Sequence, residues 1–292
     1  MAFNLQTLKT RALTSAVFVI VMMLGLLLNN WSFFLLFSII HFGCWLEYQK
    51  LVGLIDNDYT QVTAFHKYGV MLAGWCIMLY FTNDSYNLGS LSLHAIGWWL
   101  GLIFVFLLPI IELLFSKEVI LKNIGYSMLG LIYISLSWGL MMDLRNTGML
   151  NSGGSTGTAG KPWLIPVLII LCLWTNDTMA YLVGSWIGKT PFSKISPKKT
   201  WEGTIGGALL CITLITLVFQ RLFSWKDLLA ISSIAAVIGT MGDLLESKLK
   251  RMANVKDSGH LMPGHGGFLD RFDSLILATP FIWLYIRLLS NL

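Results

Sequence analysis

The chain has 292 residues, 55% of them apolar and only 12% charged, with 12 Trp and 17 Phe, whereas an average soluble domain is about 25% charged. A mean hydropathy of +0.70 excludes an ordinary soluble enzyme and a disordered chain, and makes this a polytopic membrane protein. The formal net charge of +5 is accounted for by basic loops, so nucleic acid is not expected as a partner.

Apolar runs able to cross roughly 30 Å of hydrocarbon lie near residues 12–28, 31–45, 69–81, 93–115, 124–142, 163–181, 205–219, 228–241 and 275–289. The third is short and is expected to extend back toward Ala64. The sixth is expected to continue past Asp177 and Tyr181 toward Gly188, carrying polar groups into the membrane. The prediction is an all-α, polytopic integral membrane fold of about nine transmembrane helices. The first run follows Lys9 and Arg11 as a signal peptide would, but it ends in Asn29-Asn30-Trp31 rather than a small-residue cleavage site. It is therefore read as a membrane helix. Cys44, Cys76, Cys172 and Cys211 stand singly in apolar segments, without metal-ligand spacing, and read as small buried hydrophobes.

With the N-terminus in the cytoplasm, nine spans put fifteen of the twenty Lys/Arg on the inner side, as the positive-inside rule requires. Both conspicuous polar stretches then face the cytoplasm. Residues 1–160 read mainly as scaffold, and residues 161–292 as membrane helices bearing the reactive loops. A low-complexity turn, 151–160, falls on the outer side.

The first polar stretch is 174–203. Asn176 and Asp177 close the sixth apolar run, and an Asp within a membrane helix is a functional candidate by default. Ser196-Pro197-Lys198-Lys199-Thr200 follows, with Glu202-Gly203 behind it. Paired lysines beside hydroxyls and backbone N–H groups suit phosphate binding, although ordinary contact with anionic headgroups would also use Lys198 and Lys199. The second stretch, 243–273, packs five carboxylates, five Lys/Arg and two His around Gly264-His265-Gly266-Gly267. Asp243, Glu246 and Ser247 share one helical face at i, i+3 and i+4, and Asp270 and Asp273 repeat the i, i+3 spacing. Carboxylates, cations (Lys250, Arg251, Lys256, Arg271) and glycines in one block are what a divalent metal and a polyphosphate require.

The pattern Ser247-x-x-Lys250-Arg251, then Lys256-Asp257, then His265-Gly266-Gly267-x-x-Asp270-Arg271-x-Asp273 resembles the signature of phosphatidate cytidylyltransferases. The Asn176-Asp177, Ser196–Thr200 and Glu202-Gly203 elements are similar to that family's second region, and Glu47 is similar in position to a family glutamate. The resemblance is strong over 160–292 and topological before it. It implies CTP and phosphatidate as substrates, CDP-diacylglycerol and pyrophosphate as products, and Mg²⁺ as cofactor, with a monovalent cation as an optional second ion. It also implies a homodimer in the cytoplasmic membrane of a bacterium, with its active site on the cytoplasmic face. Asp243 and Asp270 are the implied first-choice metal ligands, with Glu246 and Asp273 after them. Asp257, Lys256, Arg271 and His265 join the implied catalytic set. Asn176, Asp177, Ser196, Lys198, Lys199, Thr200, Glu202, Lys250, Arg251, Gly266 and Gly267 are the implied substrate contacts. The competing readings are a CTP-dependent polyprenol or phytol kinase, and a transporter, which midplane charges and inverted repeats would favour.

Overall fold

The computed structural model describes residues 5–83, 86–115, 120–147, 161–193, 195–259 and 266–290, with side chains from residue 13 to residue 288. Lys117, Lys194, Gly264, His265 and the 151–160 turn lie outside the described residues.

Among the described residues the chain is all-α apart from a two-stranded antiparallel hairpin, Asn87–Leu88 with Leu91–Ser92. The helices are α1 (Leu5–Leu27), α2 (Asn30–Ile55), α3 (Ala64–Tyr80), α4 (Leu93–Phe115), α5 (Leu121–Gly130), α6 (Ser137–Thr147), α7 (Leu164–Ile187), α8 (Trp201–Phe219), α9 (Trp225–Met252) and α10 (Leu269–Ser290). A π-helical turn, Leu131–Leu136, joins α5 to α6 in one continuous rod. Every predicted apolar run coincides with one of these rods, overshooting it by at most one residue. The third does begin at Ala64, and the sixth does run on to Ile187. Among the described residues, six rods are long and apolar enough to cross a membrane: α2, α4, α5–α6, α7, α8 and α9. This is an all-α membrane protein, and its exposed apolar side chains, such as Phe106, Leu114 and Val218, are what lipid contact demands.

Local chemistry sets the helix ends. Asn29 and Ser32 form a reciprocal capping box that starts α2, Thr63 caps α3, and Thr200 caps α8; such caps satisfy N–H groups a helix leaves orphaned. All four cysteines are buried and none is in a disulfide.

The chain falls into two compact units, Met1–Gly139 with Lys250–Phe272, and Leu140–Leu249 with Asp273–Leu292. In the first unit, Phe33, Phe37, Trp45, Tyr48 and Trp138 are fully buried. The Ser135 hydroxyl in the π-turn accepts from Trp45 Nε1 at 2.8 Å and pairs with His41 Nε2 at 3.0 Å. A second buried polar chain runs from Glu112 Oε2 to His66 Nδ1 (3.0 Å), and from His66 Nε2 to Ser127 Oγ (2.7 Å). In the second unit, α7 and α8 pack almost backbone to backbone. A Cβ on Gly207 would lie 2.5 Å from the Ala180 nitrogen, and one on Gly203 would lie 2.8 Å from the Ala180 carbonyl oxygen. Small residues at such a crossing allow membrane helices to approach closely.

Candidate active site

The second unit holds a cleft of about 390 Å³. One wall is the last part of α7, where Asn176, Asp177, Ala180, Tyr181 and Gly184 recur on one helical face. Opposite stand Ser196, Lys198, Lys199 and Thr200, with Thr204 from α8 and Thr240 and Asp243 from α9. Seven of the predicted site residues therefore share one cavity.

The loop that carries the lysines is ordered by its own hydrogen bonds. Phe192 N–H donates to the Lys199 carbonyl (2.8 Å), Lys199 N–H to that of Ser196 (3.1 Å), and Trp201 N–H to that of Thr190 (3.0 Å). The Phe192 and Trp201 rings meet at 4.5 Å. Glu202 accepts from Lys189 N–H (3.1 Å), Thr190 N–H and the Thr190 hydroxyl (2.8 Å). Its carboxylate is thus committed to tying the loop's first residues to α8, and it is not among the cleft's lining. Lys199 forms an ion pair with Asp243, to which the Ser247 hydroxyl also donates at 3.3 Å. Asn176 is 2% exposed. Its Nδ2 reaches Thr240 Oγ1 at 3.5 Å, while its Oδ1 is buried with no hydrogen-bond partner.

In the first unit a carboxylate network organises the start of α10. Asp270 Oδ1 accepts from Lys250 Nζ at 2.6 Å, and Oδ2 from Ser258 N–H (2.9 Å) and Gly267 N–H (2.7 Å). Glu47, from α2, accepts from Phe268 N–H (2.8 Å), Leu269 N–H (2.9 Å) and the Ser258 hydroxyl (2.6 Å). Burial opposes ionisation of Asp270, yet the Gly267 N–H, the Lys250 ammonium and the Ser258 N–H outweigh it and bring its pKa down to about 2. Gly266 has φ +80°, and a Cβ there would lie 2.5 Å from Asp270 Oδ2; one on Gly267 would lie 2.2 Å from Glu47 Oε1. In this structure the space those glycines leave is taken by protein carboxylates.

The remaining predicted residues do not line the cleft. Lys256 and Asp257 are exposed beyond the end of α9, and Arg251 reaches the Val255 carbonyl at 3.4 Å. Glu246 and Asp273 are buried. Arg271 lines an apolar groove beside α1 and α2. Among the described residues, no three His, Cys, Asp or Glu side chains stand grouped to hold a metal. Glu47, marked in the sequence by its resemblance to a family glutamate at the close of the second apolar run, meets here Ser258, which the sequence did not single out and for which it offered no signal.

Comparisons with known proteins identify the family. A sequence profile of the cytidylyltransferase family matches residues 9–289. The chain is similar to the phosphatidate cytidylyltransferase of Bacillus subtilis (strain 168), at 37% identity over 188 residues, 61% of this chain and 66% of that one. Against the phosphatidate cytidylyltransferase of Synechocystis sp. (strain ATCC 27184 / PCC 6803 / Kazusa) the identity is 36% over 192 residues, 59% of this chain and 65% of that one. The chain thus spans just under two thirds of each of those relatives. The Thermotoga maritima phosphatidate cytidylyltransferase is 26% identical over 275 residues, which are 85% of this chain and 92% of its own length. Matched by the family profile along nearly all of its length, the chain belongs to the cytidylyltransferase family.

Proposed function

We propose that the protein transfers a cytidylyl group from CTP to phosphatidate, yielding CDP-diacylglycerol and pyrophosphate. The observation that carries this reading is the cleft in which Lys198, Lys199, Ser196 and Thr200 face Asn176, Asp177 and Asp243. Two lysines, two hydroxyls and the capped N-terminus of α8 form an anion-binding wall. The cleft's volume falls within the range of roughly 300–1,000 Å³ usual for small-molecule sites.

In this reaction a phosphate oxygen of phosphatidate attacks the α-phosphorus of CTP, and the bond to the pyrophosphate oxygen breaks. That attacking oxygen is already anionic at neutral pH, so no general base is needed. The difficulty is bringing two anions together. Lys198 and Lys199 would neutralise and align phosphate groups, and Thr200 and Ser196 would hold their oxygens. Lys256, Arg271 and His265 are proposed to hold phosphates or to donate a proton to the leaving group, on the ground of the resemblance.

The cleft's donors suit Mg²⁺, which favours one or two carboxylates with phosphate oxygens and water. Asp243 and Asp177 supply carboxylates, and the unpartnered Asn176 Oδ1 is a further hard oxygen. A bound Mg²⁺ would act as a Lewis acid that draws charge from the phosphates. Asp270, Glu246 and Asp273 are kept as ligand candidates by the resemblance. Asp270 would first have to release Lys250. A monovalent second ion, the homodimer, nine spans with a cytoplasmic N-terminus, and a cytoplasmic-face site in a bacterial inner membrane are proposed on the same ground. So is the division into scaffold (1–160) and reactive (161–292) segments.

The test is incorporation of radiolabelled CTP into chloroform-soluble lipid by purified protein, with phosphatidate and a polyprenol compared as acceptors. Label α to the ribose should enter lipid only with phosphatidate. Transfer of γ-label to the polyprenol would instead establish a kinase.

A further inference from the structure

The first unit contains a second cavity, a groove of about 420 Å³ whose walls are almost wholly apolar. Leu13, Val17 and Val21 line it from α1 at four-residue spacing, Ile39 from α2, and Phe268 and Arg271 from the start of α10. Its back is sealed where the Phe18 and Phe272 rings meet at 6.0 Å. Its deep end is sealed where Leu36 packs on Gly25, so closely that a Cβ there would lie 2.5 Å from Leu36 Cδ2. Arg271 is the charged residue of the lining.

The position of Arg271 along the groove follows from its neighbours. The helices α1 and α2 form a hairpin turning at residues 28–29, so the Gly25–Leu36 contact marks the turn end. Phe268 packs against Gly43, seven residues further along α2 and away from the turn. The cation therefore stands toward the Leu13 end, opposite the closed one. From Leu13 to Met22 the groove follows α1 for about 14 Å, and one leaflet is half of roughly 30 Å of hydrocarbon. The groove is thus about as long as one leaflet is thick, apolar but for Thr14, and cationic at its mouth.

We infer that this groove seats one acyl chain of the phosphatidate substrate, with the lipid phosphate drawn to Arg271; the inference rests on the proposed reaction. The length favours an acyl chain, since the groove runs about as far as one leaflet is thick. The charge favours an anionic lipid, because a guanidinium fork matches phosphate oxygens. Arg271 also directly follows Asp270, so a lipid held here would present its headgroup beside the signature.

The test fills the groove from opposite walls with Val17→Trp and Ile39→Trp, in the full-length protein in mixed micelles at fixed lipid surface density. A mismatched methylene in an apolar pocket changes discrimination by roughly tenfold or more. The KM for dioleoyl phosphatidate should accordingly rise by about that factor. The KM for CTP should stay within about twofold, and short-chain dioctanoyl phosphatidate should be affected less. A second measurement does not depend on turnover. Phosphatidate carrying a photoactivatable group in mid-chain should label peptides of α1 and α2, and unlabelled phosphatidate should compete far better than phosphatidylcholine. An unchanged KM for the long-chain substrate in folded Trp variants, or equal competition by phosphatidylcholine, would reduce the groove to ordinary annular lipid and overturn the inference. If wild-type protein is labelled selectively but transfers no cytidylyl group, the groove stands and the proposed reaction falls.

Discussion

Replacing Glu47 with Gln tests whether a carboxylate on α2 holds the start of α10. Glu47 receives three donors: Phe268 N–H at 2.8 Å, Leu269 N–H at 2.9 Å and the Ser258 hydroxyl at 2.6 Å. A Gln amide keeps one oxygen. Its best orientation retains the Leu269 and Ser258 contacts and turns NH₂ toward the Phe268 N–H, donor against donor. The loss is one hydrogen bond to a charged group, worth roughly 1.5–3 kcal/mol. To this is added roughly 0.3–1 kcal/mol for removing a negative charge from a helix N-terminus. The expected cost is about 2–4 kcal/mol, which for a chain of this length lowers the melting temperature by about 4–8 °C. Thermal unfolding in detergent, followed by tryptophan fluorescence, measures it. Because Asp270 and Arg271 sit in the turn being loosened, turnover at saturating CTP should fall as well. Asp58→Asn is the control, since Asp58 is exposed and surface changes usually stay within about 0.5 kcal/mol. A Glu47→Gln melt within about 1 °C of wild type, with turnover intact, would refute the role.

Asp243→Asn should abolish cytidylyl transfer in a folded, membrane-inserted protein; retention of more than about a tenth of wild-type turnover, a loss of only ~1.4 kcal/mol, would remove it from the essential set. Replacing Lys198 and Lys199 together with Gln should raise the KM for CTP or phosphatidate before it lowers kcat, and added salt should impair the wild type more than the variant. Asp270, held at about 2 when folded against roughly 3.9 in an unfolded chain, contributes stability in full above roughly pH 4 and loses it as the pH falls through about 2. An acid titration of the melting temperature should therefore be shallower over that range in Asp270→Asn than in wild type. For orientation, a single cysteine at Asn254 should resist membrane-impermeant thiol reagents applied outside intact cells, while one at Lys226 should react.

The helices were legible because lipid imposes a simple rule: an apolar run must hydrogen-bond to itself. The polar close of α7 could be foreseen for the same reason, since Asn176, Asp177 and Tyr181 continue one helical face. The lysine loop was legible as a cluster, and its residues do share a cleft with Asp243. What could not be read was who takes whose donors. Glu202 stood in the motif as a substrate contact, but its carboxylate is used by Lys189 and Thr190. Lys250 stood as a phosphate ligand and is found on Asp270. Glu47 meets its partners across 211 to 222 residues. No periodicity or local spacing encodes a pairing at that separation. The Ser127–His66–Glu112 chain is not encoded locally for the same reason, its members coming from three helices.

The close crossing of α7 and α8 bears on the thermodynamics of binding. With Ala180 and Gly184 pressed against Gly203 and Gly207, the two ends of the lysine loop are anchored to posts that cannot drift apart. The loop's internal hydrogen bonds then fix its path before any ligand arrives. Under the proposed reaction, a phosphate entering the cleft would meet donors already in position, so little chain entropy would be lost on association, in contrast to a lid that must fold over its ligand. Affinity would then depend chiefly on stripping water from the lysines and on exchanging the Lys199–Asp243 pair for a new anion. Discrimination between nucleotides would reside in the shape of a preformed wall rather than in a closing movement.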